Sequence, residues 1–110
     1  MDETVSFLKA LADNTRLELI KLLLSHDYCV GALAKKLGFS ESAISQHLRI
    51  LRSTGLVKGD KRGYYTHYYV DRQMLLKISD ELSGMARIPA DPRKCHEGSY
   101  EGCCRCKTDG

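Results

Sequence analysis

The sequence lacks any apolar run near the roughly 18 residues that a membrane-spanning helix needs, and it lacks a basic N-terminal segment followed by an apolar one. We therefore expect a cytoplasmic chain with no membrane partner. Internal repeats are absent too. Hydrophobic residues make up 43% of the 110 residues and charged residues 28%, which excludes a wholly disordered chain and suits one small domain with a single core.

Paired cysteines are also missing. The total of five is odd, and without a secretory leader it argues against a disulfide framework, so we expect reduced thiols. Four of the five lie in one short stretch, CHEGSYEGCCRC, which begins at Cys95 and ends at Cys106. Cys103 and Cys106 have the spacing of one CxxC unit, but the stretch lacks the second unit of the paired CxxC spacing that is standard for a structural zinc site. It could be a ligand set, a redox switch or a disordered end.

Helical periodicity predicts four helices in the first half of the chain. Apolar residues recur at helical spacing over 3–12, and Asp13 suits the cap of a second helix that ends near residue 25. A shorter helix is predicted over 30–37, and Ser40 suits the cap of a fourth that Gly55 ends. The close succession of the third and fourth helices across a glycine is typical of a helix-turn-helix.

A β-hairpin is predicted next. Aromatic and β-branched residues flank the turn cluster GDKRG, so we expect strands near 56–60 and 65–70, with Lys61 and Arg62 at a basic tip. A fifth helix is expected over about 72–85, and the two prolines beyond it bar its continuation.

This order of elements predicts the fold class. It is the order of a winged helix-turn-helix, an α+β fold that is mainly α. We assign this DNA-binding and dimerisation domain to residues 1–86. Residues 87–110 have too few apolar side chains to build a core, so we expect a flexible, cysteine-rich C-terminal tail.

Basic residues are concentrated in the middle of the chain. The segment from Lys35 to Arg62 carries a net charge of +5, whereas the remainder carries −2. Local positive charge of this kind is the usual footprint of a polyanion partner, although a solvated basic face is a common alternative.

The fourth helix carries side chains suited to reading DNA. If its apolar residues face the core, the opposite face presents Ser, Gln and Arg, and Gln pairs with adenine and Arg with guanine. Hydroxyls at the helix N-terminus suit phosphate, and a basic hairpin tip suits the backbone or minor groove. An amphipathic helix with an ordinary polar face is the alternative, and we expect His47 to pack rather than to bind. The predicted DNA-binding residues are Ser40, Ser42, Ser45, Gln46, Arg49, Lys61 and Arg62.

A family resemblance covers residues 5–86. Three segments resemble the ArsR/SmtB family of metal-sensing repressors: LADNTRLELIKLLL, CVGALAKKLGFSESAISQHLRILRSTGLV and KRGYYTHYYV. The resemblance implies a winged-helix homodimer, with the first and fifth helices at the interface, that represses an operon until an inducer lowers its affinity for double-stranded operator DNA. It also implies that Ser42, Ser45 and Gln46 occupy operator-reading positions, with Arg62 as the wing contact.

The inducer sites that the resemblance implies are incomplete in this sequence. The metalloid site at the start of the third helix has two cysteines around one residue, but here Cys29 is followed by Gly31 in the place of the second thiol. The zinc site on the fifth helix retains only Asp71. Its other positions hold Gln73, Gly84 and Arg87.

The tail thiols remain as the candidate inducer site. Thiolates favour arsenic(III) and soft metal ions over hard cations. Closing a short loop of the tail costs a few kcal/mol, which is small against the roughly 10 to 16 kcal/mol of thiolate-rich zinc sites. We therefore predict arsenic(III), or a soft ion such as Cd, Pb or Zn, as the inducer. The predicted ligands are Cys95, Cys103, Cys104 and Cys106, with Cys29 and His96 as secondary candidates.

Other interpretations stay open. The tail cysteines could form reversible disulfides in a redox-responsive or reactive-sulfur-responsive repressor, or the tail could have no function, and Cys29 could be a buried structural thiol. A thiol-based metal-buffering protein would need the tail but not the DNA-reading helix. An enzyme is not expected, because no helix N-terminus is predicted beside the tail thiols to lower their pKa.

Overall fold

The structure, a computed structural model, describes residues 3–92. These form five helices and one hairpin, and no helix among them is long and apolar enough to cross a membrane. The predicted mainly helical winged helix-turn-helix is confirmed. The predicted flexible tail lies beyond residue 92, outside the described residues, so the division at residue 86 stays a prediction. The elements are α1 (Glu3–Leu11), α2 (Asn14–Ser25), α3 (Val30–Leu37), α4 (Glu41–Ser53), β1 (Val57–Arg62), β2 (Tyr65–Val70) and α5 (Arg72–Ala86).

Short polar side chains start three of these helices. Asp13, Ser40 and Asp71 each accept a hydrogen bond from a backbone N–H of the following first turn, at 3.0, 3.1 and 3.1 Å. The N–H of Arg16 holds the pKa of Asp13 below its usual value. At the other end of α3, Gly38 takes the left-handed conformation, with φ +76°, that glycine adopts without strain. The caps at Asp13 and Ser40 and the glycine after α3 are therefore where the sequence predicted them.

One hydrophobic core joins the helices to the hairpin. Leu56, just after α4, and Val57 of β1 are buried in this core, and Val70 of β2 is buried in it as well. The predicted inward stripe of α4 is confirmed, because Ile44, Leu48 and Leu51 are buried. The buried apolar residues are Phe7, Ala10, Leu19, Ile20, Leu23, Leu33, Ala34, Ile44, Leu48, Leu51, Leu56, Val57, Val70 and Ile78.

The predicted first helix is confirmed, and its apolar side chains lie on two sides. Val5 and Leu8 are 37% and 39% exposed, whereas Phe7 and Ala10 are buried and Leu11 packs against the core. This nine-residue helix has apolar side chains on two sides, and only one side contacts α2 and α4 within the chain. Periodicity detects both sides but does not tell which of them the core covers.

The hairpin register corrects the predicted turn. β1 continues to Arg62, which pairs with Tyr65, so Lys61 and Arg62 lie in the strand and not at the tip. Gly63 and Tyr64 form the two-residue turn. Gly63 has a φ of +65°, and a hairpin turn with a positive φ at its first residue favours glycine there. Gly59, predicted to belong to the turn, pairs with Tyr68; a Cβ there would lie 2.9 Å from the Thr66 methyl carbon.

Two contacts fasten the hairpin to the helical part of the domain, and a third joins α5 to α2. Tyr28, between α2 and α3, pairs with Tyr68 of β2 through backbone hydrogen bonds of 2.8 and 3.4 Å. Lys58 of β1 forms an ion pair of 3.0 Å with Asp71, which raises the pKa of Lys58 and lowers that of Asp71. Arg72 donates to the carbonyl of Leu24 at 2.7 Å. The base of the wing is therefore tied to both sides of the domain.

Replacing a core leucine tests the assignment of the inward face of α2. Leu19→Ala should lower the free energy of unfolding by about 2 to 5 kcal/mol, because Leu19 is fully buried. Leu17→Ala, the same change two residues away on the exposed side, should cost about 0.5 kcal/mol. Urea unfolding at one protein concentration measures both. Equal losses for the two variants would contradict the buried face.

Candidate nucleic-acid interface

The outer face of α4 is a continuous polar surface. Ser42, Ser45, Gln46 and Arg49 follow one another at the spacing that places residues on one side of a helix, and all four are exposed. Within residues 3–92 their side chains have no hydrogen bond or ion pair to another side chain. Their donors and acceptors therefore remain available to base edges and phosphates. We call these four residues the reading face.

The start of α4 suits an anion. The Ser40 oxygen accepts the N–H of Ala43, so the hydroxyl is used as a helix cap and its hydrogen remains free to donate to phosphate. Ser40 is exposed, as are Glu41 and Ser42 that follow it. The predicted phosphate-binding position thus has accessible donors at a helix N-terminus, with the Glu41 carboxylate beside them.

His47 holds α4 against the junction of α1 and α2. Its Nδ1 lies 3.3 Å from Nη1 of Arg16 and 4.0 Å from Oδ2 of Asp13, and its side chain is only 24% exposed. Arg16 also donates from Nε to the carbonyl of Ala10, the last buried residue of α1, at 2.6 Å. The prediction that His47 packs is confirmed. The role of Arg16 was missed, because its side-chain partners come from α1 and α4, two elements other than its own.

The wing presents its basic residues unequally. Lys61 is exposed and has no side-chain partner within the described part of the chain. Arg62 donates from Nη2 to Oδ2 of Asp27 at 2.6 Å and from Nε to Oδ2 of Asp60 at 3.1 Å. Hydrogen bonds to Asp27 and then Asp60 raise the pKa of Arg62. Thus the predicted wing contact is already bound to two carboxylates.

The tip of the wing is aromatic. Tyr64 is 98% exposed. Alternate residues of a strand point to opposite faces, so Tyr64 would be assigned to one of two faces if the strand included it. Only the position of the turn at Gly63 reveals that Tyr64 belongs to neither face.

The inducer positions that the resemblance implies form no complete metal site within residues 3–92. Cys29 precedes α3, is half-buried and forms no capping bond; it faces a depression shared with Glu41 and wing tyrosines. A Cβ on Gly31 would lie 3.5 Å from a Glu41 carboxylate oxygen, so there is room for a second side chain but no thiol to fill it. The Asp71 carboxylate accepts a hydrogen bond from the N–H of Gln73 as the cap of α5 and forms an ion pair with Lys58. No group of three His, Cys, Asp or Glu within residues 3–92 could hold a metal ion.

The predicted thiolate site cannot be placed on the fold. Its ligands lie outside the described residues. These are Cys95, His96, Cys103, Cys104 and Cys106.

Comparisons with known proteins agree with this geometry. The family model for bacterial regulatory proteins of the arsR family matches residues 13–58, from the α2 cap into the first strand. The chain is 40% identical over 77 residues to nodulation protein NolR of Rhizobium meliloti, covering 70% of this chain and 63% of NolR. It is 42% identical over 82 residues to the arsenical resistance operon repressor of Escherichia coli, covering 70% and 69% of the two chains.

Solved structures show the same fold. An ArsR-like transcriptional regulator from Rhodococcus sp. RHA1 matches with a TM-score of 0.72 and 33% identity over 76% of this chain and 79% of that one. The homodimeric winged helix-turn-helix DNA-binding domain of a possible ArsR-family regulator from Mycobacterium bovis matches with a TM-score of 0.66 and 27% identity, covering 77% and 79%. With a helix-turn-helix, a wing and an open reading face in place, the chain belongs to the arsR family of DNA-binding regulatory proteins.

Proposed function

We propose that this chain is a cytoplasmic, homodimeric repressor that binds operator DNA through α4 and the wing, and that an inducer on tail thiolates lowers its affinity for DNA. The reading face carries the proposal: four exposed polar side chains on one side of α4, opposite a fully buried stripe. A helix of this kind fits the major groove, where Gln46 would pair with adenine and Arg49 with guanine. Ser42 and Ser45 would contact phosphates or bases nearer the N-terminus.

An apolar surface on α1 and α5 supports the homodimer. Val5 and Leu8 of α1 are exposed, and so are Leu76, Leu82 and Met85 of α5. The two helices lie together, since Lys77 of α5 forms an ion pair of 2.9 Å with Glu3 of α1. Exposed apolar patches of this extent mark protein interfaces. A twofold axis through this surface would set two reading faces about 34 Å apart, one turn of DNA.

The donor set supports an inducer site in the tail. The winged-helix domain offers no metal-binding group within residues 3–92, so soft-ion sensing would depend on thiols beyond it. The related protein from Escherichia coli is named for arsenical resistance, and thiolates are the ligands that arsenic(III) and soft ions prefer. Ordering of the tail against the dimer would change DNA affinity by a coupling free energy of about 1 to 3 kcal/mol.

A redox-responsive repressor is the second candidate, favoured by the free thiol of Cys29. This thiol is partly exposed and sits beside the wing and the start of α4. Two thiols could join as a disulfide, with two electrons and two protons passing to a peroxide. The pair would be Cys95 with Cys103 or Cys104, or Cys29 with a tail thiol, and reduction would restore the two thiols.

Substitution on the reading face tests DNA recognition. Arg49→Ala should weaken binding to a duplex selected from a random library by about 10- to 100-fold and relax its base preference, because Arg reads guanine. Lys61→Ala, the matched loss of one charge on the wing, should weaken binding to all duplexes equally and reduce the salt dependence by about one phosphate contact. Fluorescence anisotropy at several salt concentrations separates the two. A metal-buffering protein would lose no metal binding in either variant, and DNA affinities that neither change alters would refute the proposal.

Replacement of the tail thiols tests the inducer site. The triple variant Cys103→Ser, Cys104→Ser and Cys106→Ser should bind the selected duplex normally but fail to release it on addition of inducer. Release is measured by anisotropy against arsenite, Cd²⁺, Pb²⁺, Zn²⁺ and a persulfide donor under reducing conditions, with Cys29→Ser as the control. Release of DNA by the triple variant at parental metal concentrations would place the site elsewhere. Response to the persulfide donor alone would favour the redox candidate.

A further inference from the structure

The carboxylates around Arg62 occupy the group that the wing would use on DNA. Asp27 lies between α2 and α3, 35 residues from Arg62, and receives its Nη2 at 2.6 Å; Asp60 on the same strand receives Nε at 3.1 Å. Two of the three guanidinium nitrogens are therefore committed to two different carboxylates. A phosphate that seeks a bidentate contact with this arginine must displace at least one of them.

Asp27 is held in place by the backbone beside it. The next residue, Tyr28, forms two backbone hydrogen bonds with Tyr68. This residue pair joins the α2–α3 connection to β2. Arg62 pairs with Tyr65 at the end of the hairpin next to the turn. The salt bridge thus spans from a fixed loop of the body to the last residue of β1, just before the turn.

The charges near this salt bridge do not favour DNA while it is closed. Asp27, Asp60 and Arg62 together carry a net charge of −1. Lys58, the first basic residue of the wing, is paired with Asp71 at 3.0 Å. Among the basic residues of β1, only Lys61 has no ion pair within residues 3–92. A polyanion that approaches the closed wing meets one lysine without an ion pair in β1 and two carboxylates that share one arginine. Arg72 lines the same cleft, with its guanidinium on the carbonyl of Leu24.

The salt bridge is also weak enough to open. The side chains of Arg62 and Asp27 are 49% and 37% exposed, and the pair borders an open cleft between the end of α2, the hairpin and the start of α5. Exposed ion pairs are screened by water and salt and contribute little net stability. A DNA backbone, with its dense phosphates, can therefore compete for the arginine.

We propose that Asp27 is a positioning residue that competes with the DNA backbone for Arg62, so that the wing engages DNA only after phosphate displaces the carboxylate. The proposal rests on the DNA-binding function proposed above and adds a restraint to it. Opening the salt bridge at each wing costs part of the binding energy. The restraint keeps the affinity of the domain for DNA below what its basic residues alone would provide.

Full-length protein under reducing conditions provides the test, with the selected duplex and a scrambled duplex as probes. Asp27→Asn should bind both duplexes roughly 3- to 10-fold more tightly at low salt, since the arginine of each of two wings is then held by Asp60 alone and its Nη2 is released for phosphate. In an Arg62→Ala background the same substitution should have no effect. Asp27→Glu, which keeps the charge, should bind as the parent does.

A charge-matched control on α2 separates the effect of Asp27 from an effect of net charge. Glu18→Gln removes one negative charge from an exposed pair with Lys21 on α2, so an equal gain there would attribute the effect to net charge and overturn the proposal. Weaker binding by Asp27→Asn would mean that Asp27 presents Arg62 to DNA, and an unchanged affinity would mean a static pair; both overturn it. Failure of the parent protein and every variant to bind any duplex would refute the DNA-binding function itself.

Discussion

Burial of one face of α4 is the constraint on which the rest of this molecule depends. The hydrophobic effect buries Ile44, Leu48 and Leu51 in the core. Because these residues lie on one side of the helix, the opposite side faces solvent. The reading face is the consequence. Its residues need no interaction of their own to be displayed, which leaves their donors and acceptors unused in the described fold.

The orientation of that face depends on the junction of α1 and α2. His47 contacts Arg16, and Arg16 in turn binds the carbonyl of Ala10 at the inner side of α1. The other side of α1 carries the exposed apolar residues of the proposed dimer interface. A change in how two subunits pack through α1 would therefore reach α4 through two short polar contacts, from Ala10 to Arg16 and from Arg16 to His47. Such contacts have the directionality that a two-state coupling requires, whereas apolar packing alone tolerates rotation.

Local patterns in the sequence were enough to predict the elements, the caps at Asp13 and Ser40, and the inward stripe of α4. The hairpin turn was misplaced because glycines at 59 and 63 give the same local signal, and only the packing of Thr66 and Tyr68 against residue 59 distinguishes them. The ties of Arg62 to Asp27 could not be predicted, since no local pattern relates residues 35 positions apart. The helix α1 was predicted, but not which of its two apolar sides enters the core, because periodicity cannot separate a core from an interface between subunits. The tail ligands remain predictions based on thiol chemistry.

The central claim is that two copies of this chain read DNA through their α4 helices across a twofold axis. Hydroxyl-radical footprinting of the full-length protein on the selected duplex tests it most directly, combined with the stoichiometry of the complex by analytical ultracentrifugation. The account predicts two protein chains per duplex, with contacts on two half-sites whose centres lie about 10 base pairs apart, one helical turn. A single protected half-site occupied by one chain would contradict it.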